Sequence, residues 1–213
     1  MSGSRVSHPI FSRFWAWMSP RMDRGGAAEY RHRLLAGLTG RVLEVGAGNG
    51  LNFAHYPSDV TSVLAVEPET LLRQVARENA ARAPIPVEVV AGVADRLPVE
   101  DESVDAVIYS LVLCSVTDQA RALREGRRVL RHGGQIRFFE HVQGESAGLR
   151  RAQKLLDATV WPTLGGGCHC ARDTRAAIES AGFTIGALER FRFPDTRLTL
   201  PTSPHILGRA SLP

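Results

Sequence analysis

The stretch LEVGAGNG, residues 43–50, places glycines at positions 46, 48 and 50 directly behind a short apolar run that contains Glu44. Glycine reaches φ > 0 without steric cost and leaves bare main chain open to a ligand. A strand that feeds such a turn belongs to an open α/β sheet, whose ligands lie beyond the carboxyl ends of the strands. The flanking pattern agrees. Apolar segments at 41–45, 62–66, 87–91, 104–110 and 135–140 read as strands. Helical segments fall between them at 70–83 and from Asp118, a capping residue, to Leu130. Strands alternating with helices of this length imply a parallel, doubly wound sheet with helices on both faces.

The remainder of the chain reads as additions to that one core. The segment 9–18 spaces its apolar residues for one helix face, and Pro20 is expected to end it. A second helix spans 27–38. Residues 144–163 and 172–181 are helical in character, with glycines at 165–167 between them, and 184–193 and 205–210 complete the strands. The expectation is a single domain over 1–213, with residues 1–38 as a helical lid or cap and 141–175 as a helical substrate-region insertion. At 213 residues and 44% hydrophobic content, the chain is long enough for one sizeable core. Its net charge of +4 comes from basic residues mixed with acids along the whole length, so no nucleic-acid partner is expected. No run approaches a membrane span, and no signal-peptide pattern is evident, so a cytoplasmic location is the default. Arg5, Arg13, Arg21 and Arg24 flank the aromatic residues of the first helix and keep peripheral membrane contact open. The oligomeric state is left open.

The loop lacks the Lys-Ser or Lys-Thr pair of a P-loop. Glu44 would repel a pyrophosphate but suits an ammonium group or ribose hydroxyls. Glu67 ends the second strand, where a carboxylate can accept from both ribose hydroxyls. A nucleoside-type cofactor is therefore expected. The glycine pattern alone also admits a nicotinamide cofactor, and with it an NAD-dependent oxidoreductase. A cofactor-binding scaffold without catalysis is the third reading.

These residues resemble the class I S-adenosylmethionine-dependent methyltransferases. Glu44 to Gly50 is similar to the family's acidic glycine loop, and Glu67 to its ribose acid. The family's Gly-Asp-Ala stands here as Gly92, Val93 and Ala94, so the resemblance shifts adenine recognition to Asp95 or a backbone carbonyl. SLVLCSV (110–116), FFEHV (138–142), GCHCARDT (167–174) and PHILGRA (204–210) resemble the methyltransferase-like 7 group, which includes alkyl-thiol methyltransferases and whose core is similar to the ubiquinone/menaquinone-biosynthesis enzymes. The resemblance implies a Rossmann-like, seven-stranded, mostly parallel sheet and S-adenosyl-L-methionine as cofactor. It implies a cofactor site at Glu44, Gly46, Ala47, Gly48, Gly50, Glu67, Pro68, Val93, Ala94, Asp95, Ser110 and Leu111. The expected reaction is methyl transfer to a small, rather apolar acceptor, a thiol by resemblance. A quinone, phenol or lipid amine stays open. The animal members carry a membrane-associating N-terminal helix with no long counterpart here, so membrane attachment is not carried over.

On the acceptor side, His141 is the candidate base or orienter, with a structural bond to Glu140 as the alternative. Phe14, Trp15, Cys114, His169 and Arg172 are candidate substrate contacts. Cys114 shows no activating partner in the sequence. The Cys168-His169-Cys170 run is a tight bite without an evident fourth ligand, so no metal site is expected.

Overall fold

The computed structural model describes residues 9–196 and 199–212; Arg5 lies outside them. Seven strands form one sheet: β1 (Gly40–Val45), β2 (Val60–Val66), β3 (Val87–Val90), β4 (Val104–Ser110), β5 (Leu130–His141), β6 (Thr184–Arg192) and β7 (Pro204–Ser211). Their order is β3-β2-β1-β4-β5-β7-β6. The first five are parallel and β7 runs antiparallel between β5 and β6. The chain therefore reverses its strand order beside β1 and β4, which opens a crevice at their carboxyl ends.

The central strands read as continuous apolar runs because both faces are buried. Leu43, Val45, Val107, Tyr109, Ile136 and Phe138 pack into one core. Their neighbours Val42, Ala106, Ile108 and Phe139 pack into the other, under Leu34, Leu35 and Leu38. The helices are α1 (Pro9–Met22), α2 (Ala28–Leu35), α3 (Thr70–Ala80), α4 (Gln119–Val129), α5 (Ala147–Asp157), α6 (Trp161–Leu164) and α7 (Thr174–Ser180). Asp118 and Asp173 cap α4 and α7 by accepting from Arg121 N and Ala176 N.

One expectation is corrected. Pro20 does not end the first helix, which runs through it to Met22 and into a kinked turn at Asp23–Ala27. Residues 144–163 are helical, as expected, in two pieces broken before Trp161. The glycine loop leads into a single 3-10 turn, Phe53–His55, whose Phe53 ring packs against Gly50.

Candidate active site

The carboxyl ends of β1, β2, β4 and β5 carry Glu44 with the glycine loop, Glu67 with Pro68, Ser110 with Leu111, and His141. Gly46, Gly48 and Gly50 all adopt positive φ. A Cβ at Gly46 would stand 2.7 Å from Val112 Cγ2, on the loop after β4. Gly46→Ala thus combines left-handed strain with overpacking, about 2 kcal/mol together. The melting temperature of this variant is expected to fall by roughly 4–8 °C in a thermal unfolding scan.

Glu67 accepts hydrogen bonds from Gly48 N at 2.7 Å and Glu69 N at 2.8 Å, which fixes the loop against β2. Burial raises its pKa to about 7. A carboxylate has about four acceptor positions, so this buried group keeps capacity for further donors such as a sugar diol. Pro68 carries its carbonyl to Arg73 Nη1 at 2.9 Å, beside the same turn.

Glu44 has a different setting from the one expected. It is fully buried and accepts from Asn52 Nδ2 at 2.8 Å and Tyr56 OH at 2.6 Å, and burial raises its pKa to about 7. Arg31 extends this network. It donates to Asn52 Oδ1 at 2.9 Å and to Asp23 Oδ1 at 2.8 Å, and reaches Ser110 Oγ at 3.4 Å. Glu44 therefore braces the loop from beneath through side chains that sequence reasoning missed: Arg31, Asn52, Tyr56 and Asp23. Leu111, directly after Ser110, holds φ +60, a left-handed conformation rare for a side chain of its size.

The turn after β3 brings Val93 and Arg96 into a short bridge. Asp95 is half exposed, and its carboxylate stands 3.9 Å from Arg121 Nε, which also bonds its carbonyl at 3.0 Å. Ala94 packs at the edge of the core beside it.

Helix α1 lies across the glycine loop. The space a Cβ would take at Gly48 is 3.3 Å from Trp15 Nε1. Ser19 Oγ and the Asn49 side chain exchange hydrogen bonds at 3.0–3.2 Å, and Ser12 Oγ donates to Glu69 Oε2 at 3.3 Å. Phe11 stacks on Trp15 and sits against Gly166. Phe14 does not join them: it is 48% exposed and tilts against Trp17 on the outer face of α1.

At the ends of β4 and β5, Glu140 is fully buried and accepts from Val112 N and Leu113 N at 2.9 Å and from Cys114 N at 3.1 Å. It holds the loop after β4, and burial raises its pKa to about 7. These three bonds occupy Glu140, so the alternative Glu140–His141 bond is not formed. His141 Nδ1 stands 3.6 Å from both Cys114 Sγ and Cys168 Sγ, so Cys114 does have a partner. Burial, aided by His205, holds the His141 pKa well below the ordinary histidine value, so the ring is neutral at pH 7. Hydrogen bonds with Cys114 and Cys170, and burial, push the Cys168 thiol well above the usual thiol range.

Arg172 is committed to structure. It donates to Leu113 O at 2.6 Å and approaches His169 Nδ1 at 3.4 Å. His169 N donates to Cys114 O at 2.8 Å, and its Nδ1 pairs with Gly167 O at 2.7 Å. Asp157 caps Cys170 N and Ala171 N at 2.8 and 2.9 Å. The 165–172 segment is thereby pinned onto the loop after β4.

A glycine cradle, a buried carboxylate with spare acceptor sites at the end of β2 and a covered apolar face beyond β4 fit a nucleoside cofactor next to a small acceptor. Residues 43–138 match the model of the methyltransferase domain family. The chain is 39% identical to a thiol S-methyltransferase, TMT1B of Mus musculus, over 83% of this chain and 73% of that protein. It is 32% identical to TMT1B of Homo sapiens over 94% of this chain and 85% of the relative. Among solved structures, a Thermotoga maritima protein described as a S-adenosylmethionine (SAM)-dependent methyltransferase, possibly a histamine N-methyltransferase, superposes with a TM-score of 0.72 at 22% identity; the match covers 96% of this chain and 99% of that one. That likeness bears on the fold alone. The chain is an S-adenosylmethionine-dependent methyltransferase acting on a small molecule, and it belongs to the thiol S-methyltransferase family of the class I methyltransferases.

Proposed function

We propose that the acceptor is the sulfur of a small, apolar thiol. The observation that carries this reading is the composition of the wall beyond β4. Leu113 and Cys114 are buried there beside Cys168, with Leu111 partly buried, and the neutral His141 ring is the polar group among them. The relatives named as thiol S-methyltransferases supply the independent support.

Methyl transfer from a sulfonium is an in-line displacement that needs alignment more than covalent help. S-adenosylmethionine supplies the electrophilic methyl group. In this reading Gly46, Ala47, Gly48 and Gly50 cradle its amino-acid end, Glu67 and Pro68 border the ribose, Val93, Ala94 and Asp95 border the adenine, and Ser110 and Leu111 edge the reacting centre. Glu44 supports the loop rather than touching the ligand. A free thiol near pKa 8.5 is already partly ionised at neutral pH. A histidine with a strongly depressed pKa holds a proton poorly, so His141 orients the sulfur rather than storing its proton. Trp15 and the rest of α1 exclude water from above, and the 141–175 region closes the acceptor side.

Labelled-methyl assays with short alkyl thiols, quinols, phenols and phospholipid amines test the acceptor. The thiol is expected to be methylated to a thioether identified by mass spectrometry. Label entering only a phenol, quinol or amine would overturn the reading. Trp15→Ala, which uncovers Gly48, is expected to raise the KM for S-adenosylmethionine about tenfold, equivalent to about 1.4 kcal/mol. An unchanged KM would remove α1 from the cofactor site.

A further inference from the structure

The three cysteines and His141 come from three separate parts of the chain. Cys114 follows β4, His141 ends β5, and Cys168 sits on the loop that α6 lowers onto them. The Sγ atoms of Cys114 and Cys168 and Nδ1 of His141 lie within 4.8 Å of one another. The adjacent 168–170 run, in which a metal motif would be sought by sequence spacing, is not what converges: His169 turns to Gly167 O instead.

The spacing has a geometric meaning. Zinc bonds sulfur at about 2.3 Å and imidazole nitrogen at about 2.0–2.1 Å, so a tetrahedral ion holds the two ligand atoms about 3.6 Å apart. Both sulfur–nitrogen distances here are 3.6 Å. Cys114 is 1% exposed and Cys168 6%, and all three cysteines are free thiols.

A second observation concerns His205, whose ring lies 4.3 Å from that of His141. Its Nδ1 pairs with Ser203 O at 2.8 Å, which assigns the proton to that nitrogen. Its Nε2 is then a bare acceptor, buried and without a hydrogen-bond partner among the described residues. When a cation takes Nδ1 of His141, the proton of that ring must reside on Nε2. At the observed ring separation of 4.3 Å and tilt of 43° the two Nε2 atoms do not pair, so this buried acceptor is met only when the His141 ring turns its Nε2–H toward it.

We propose that Cys114, His141 and Cys168 form a zinc site with its fourth position open to the acceptor thiol. Two thiolates and an imidazole suit zinc, and three protein ligands plus one exchangeable position is the arrangement of a working rather than a purely structural site. The second half of this proposal rests on the thiol reading above. The acceptor RSH loses its proton to solvent as its sulfur joins the ion. A lone pair of that sulfur then forms the new carbon–sulfur bond to the methyl group. The methyl–sulfonium bond breaks, and its electron pair stays on the sulfur of S-adenosylhomocysteine. The thioether product carries no thiolate charge and leaves the ion. The place of the cluster, at the carboxyl ends of β4 and β5, is on the ligand edge of the sheet.

The test begins with the unmodified protein, purified with reductant and zinc sulfate and then dialysed. It is expected to retain about one zinc per chain, measured by mass spectrometry of the metal. Cys168→Ser and His141→Gln, each confirmed folded by circular dichroism, are expected to lose at least the roughly 100-fold in zinc affinity that even an outer-shell change can cost. Cobalt replacing zinc reports the fourth position: its visible spectrum is expected to shift when a short alkyl thiol is added. A folded protein that retains no zinc, or variants that hold it as tightly as the parent, would overturn the site. A disulfide between Cys114 and Cys168 in the reduced preparation would do the same. A cobalt spectrum indifferent to thiol would overturn the open position. Zinc held normally by a protein that methylates only phenols would sink the thiol reading while leaving the metal site in place.

Discussion

Glu140→Ala is expected to destabilise the protein by about 3–5 kcal/mol, because it leaves three buried backbone donors without an acceptor. The carboxylate takes N–H bonds from Val112, Leu113 and Cys114, all within 3.1 Å, in a place without solvent. These bonds also hold the turn that begins with Leu111 in its left-handed conformation, a strain that persists only where the surroundings over-determine it. Glu140→Gln separates the two effects. One amide oxygen can still serve Val112 and Leu113, while the amide nitrogen would face the Cys114 N–H, donor against donor. Its cost is expected to be about 1–2 kcal/mol. Since Cys114 is on the proposed acceptor wall, both variants are expected to raise the acceptor KM more than the KM for S-adenosylmethionine. Denaturant unfolding and initial-rate kinetics measure the two quantities. An Ala variant within about 0.5 kcal/mol of the parent, the range of a neutral surface change, would show that the turn does not depend on Glu140.

The sheet was legible because parallel strands buried on both faces leave continuous apolar runs, and because glycines behind one of them mark the ligand edge. The position of Glu67 was legible for the same reason: it directly follows the second strand, on that ligand edge, where it accepts from Gly48 N and Glu69 N. The polar framework was not. Arg31 meets Ser110 across 79 positions and Asn52 across 21, and such pairings leave no period in the sequence. Phe14 and Trp15 show a second limit. Adjacent helical residues point about 100° apart, so only one of them could face the loop, and composition does not say which. The cysteine–histidine cluster is a third case. Its signal lay in topology: Ser110 pairs with Phe139 in parallel register, which sets the residues just beyond both strand ends side by side. Cys168 reaches them only because Gly166 and Gly167 let its loop pass close to Phe11 and to the Ser115 carbonyl.

Glu67→Ala is expected to weaken S-adenosylmethionine binding by about 1.5–3 kcal/mol, or roughly 10- to 150-fold in Kd. The side chain holds Gly48 N and Glu69 N; in the reading proposed above it also offers its remaining lone pairs to the ribose. The pH dependence distinguishes the second role from the first. Burial raises the Glu67 pKa from 4.5 to about 7, against the lowering effect of the two backbone bonds. Sugar hydroxyls donate to the ionised form and so favour it. Affinity is therefore expected to rise with pH through about 7, level off above it, and fall by up to about tenfold per unit below it. The same shift acts in the opposite direction on the cofactor-free protein. Between pH 4.5 and about 7 the folded carboxyl keeps a proton that the unfolded chain has released, so the contribution of Glu67 to stability declines as pH rises through that window. Calorimetric titration from acid to mildly basic pH reads the affinity directly. Glu67→Gln keeps the size and one acceptor oxygen but cannot ionise, so its weaker binding is expected to be independent of this titration. If the parent protein itself binds S-adenosylmethionine with a Kd that stays flat across neutral pH, the carboxylate at the end of β2 is a brace for the glycine loop and not the group that receives the sugar.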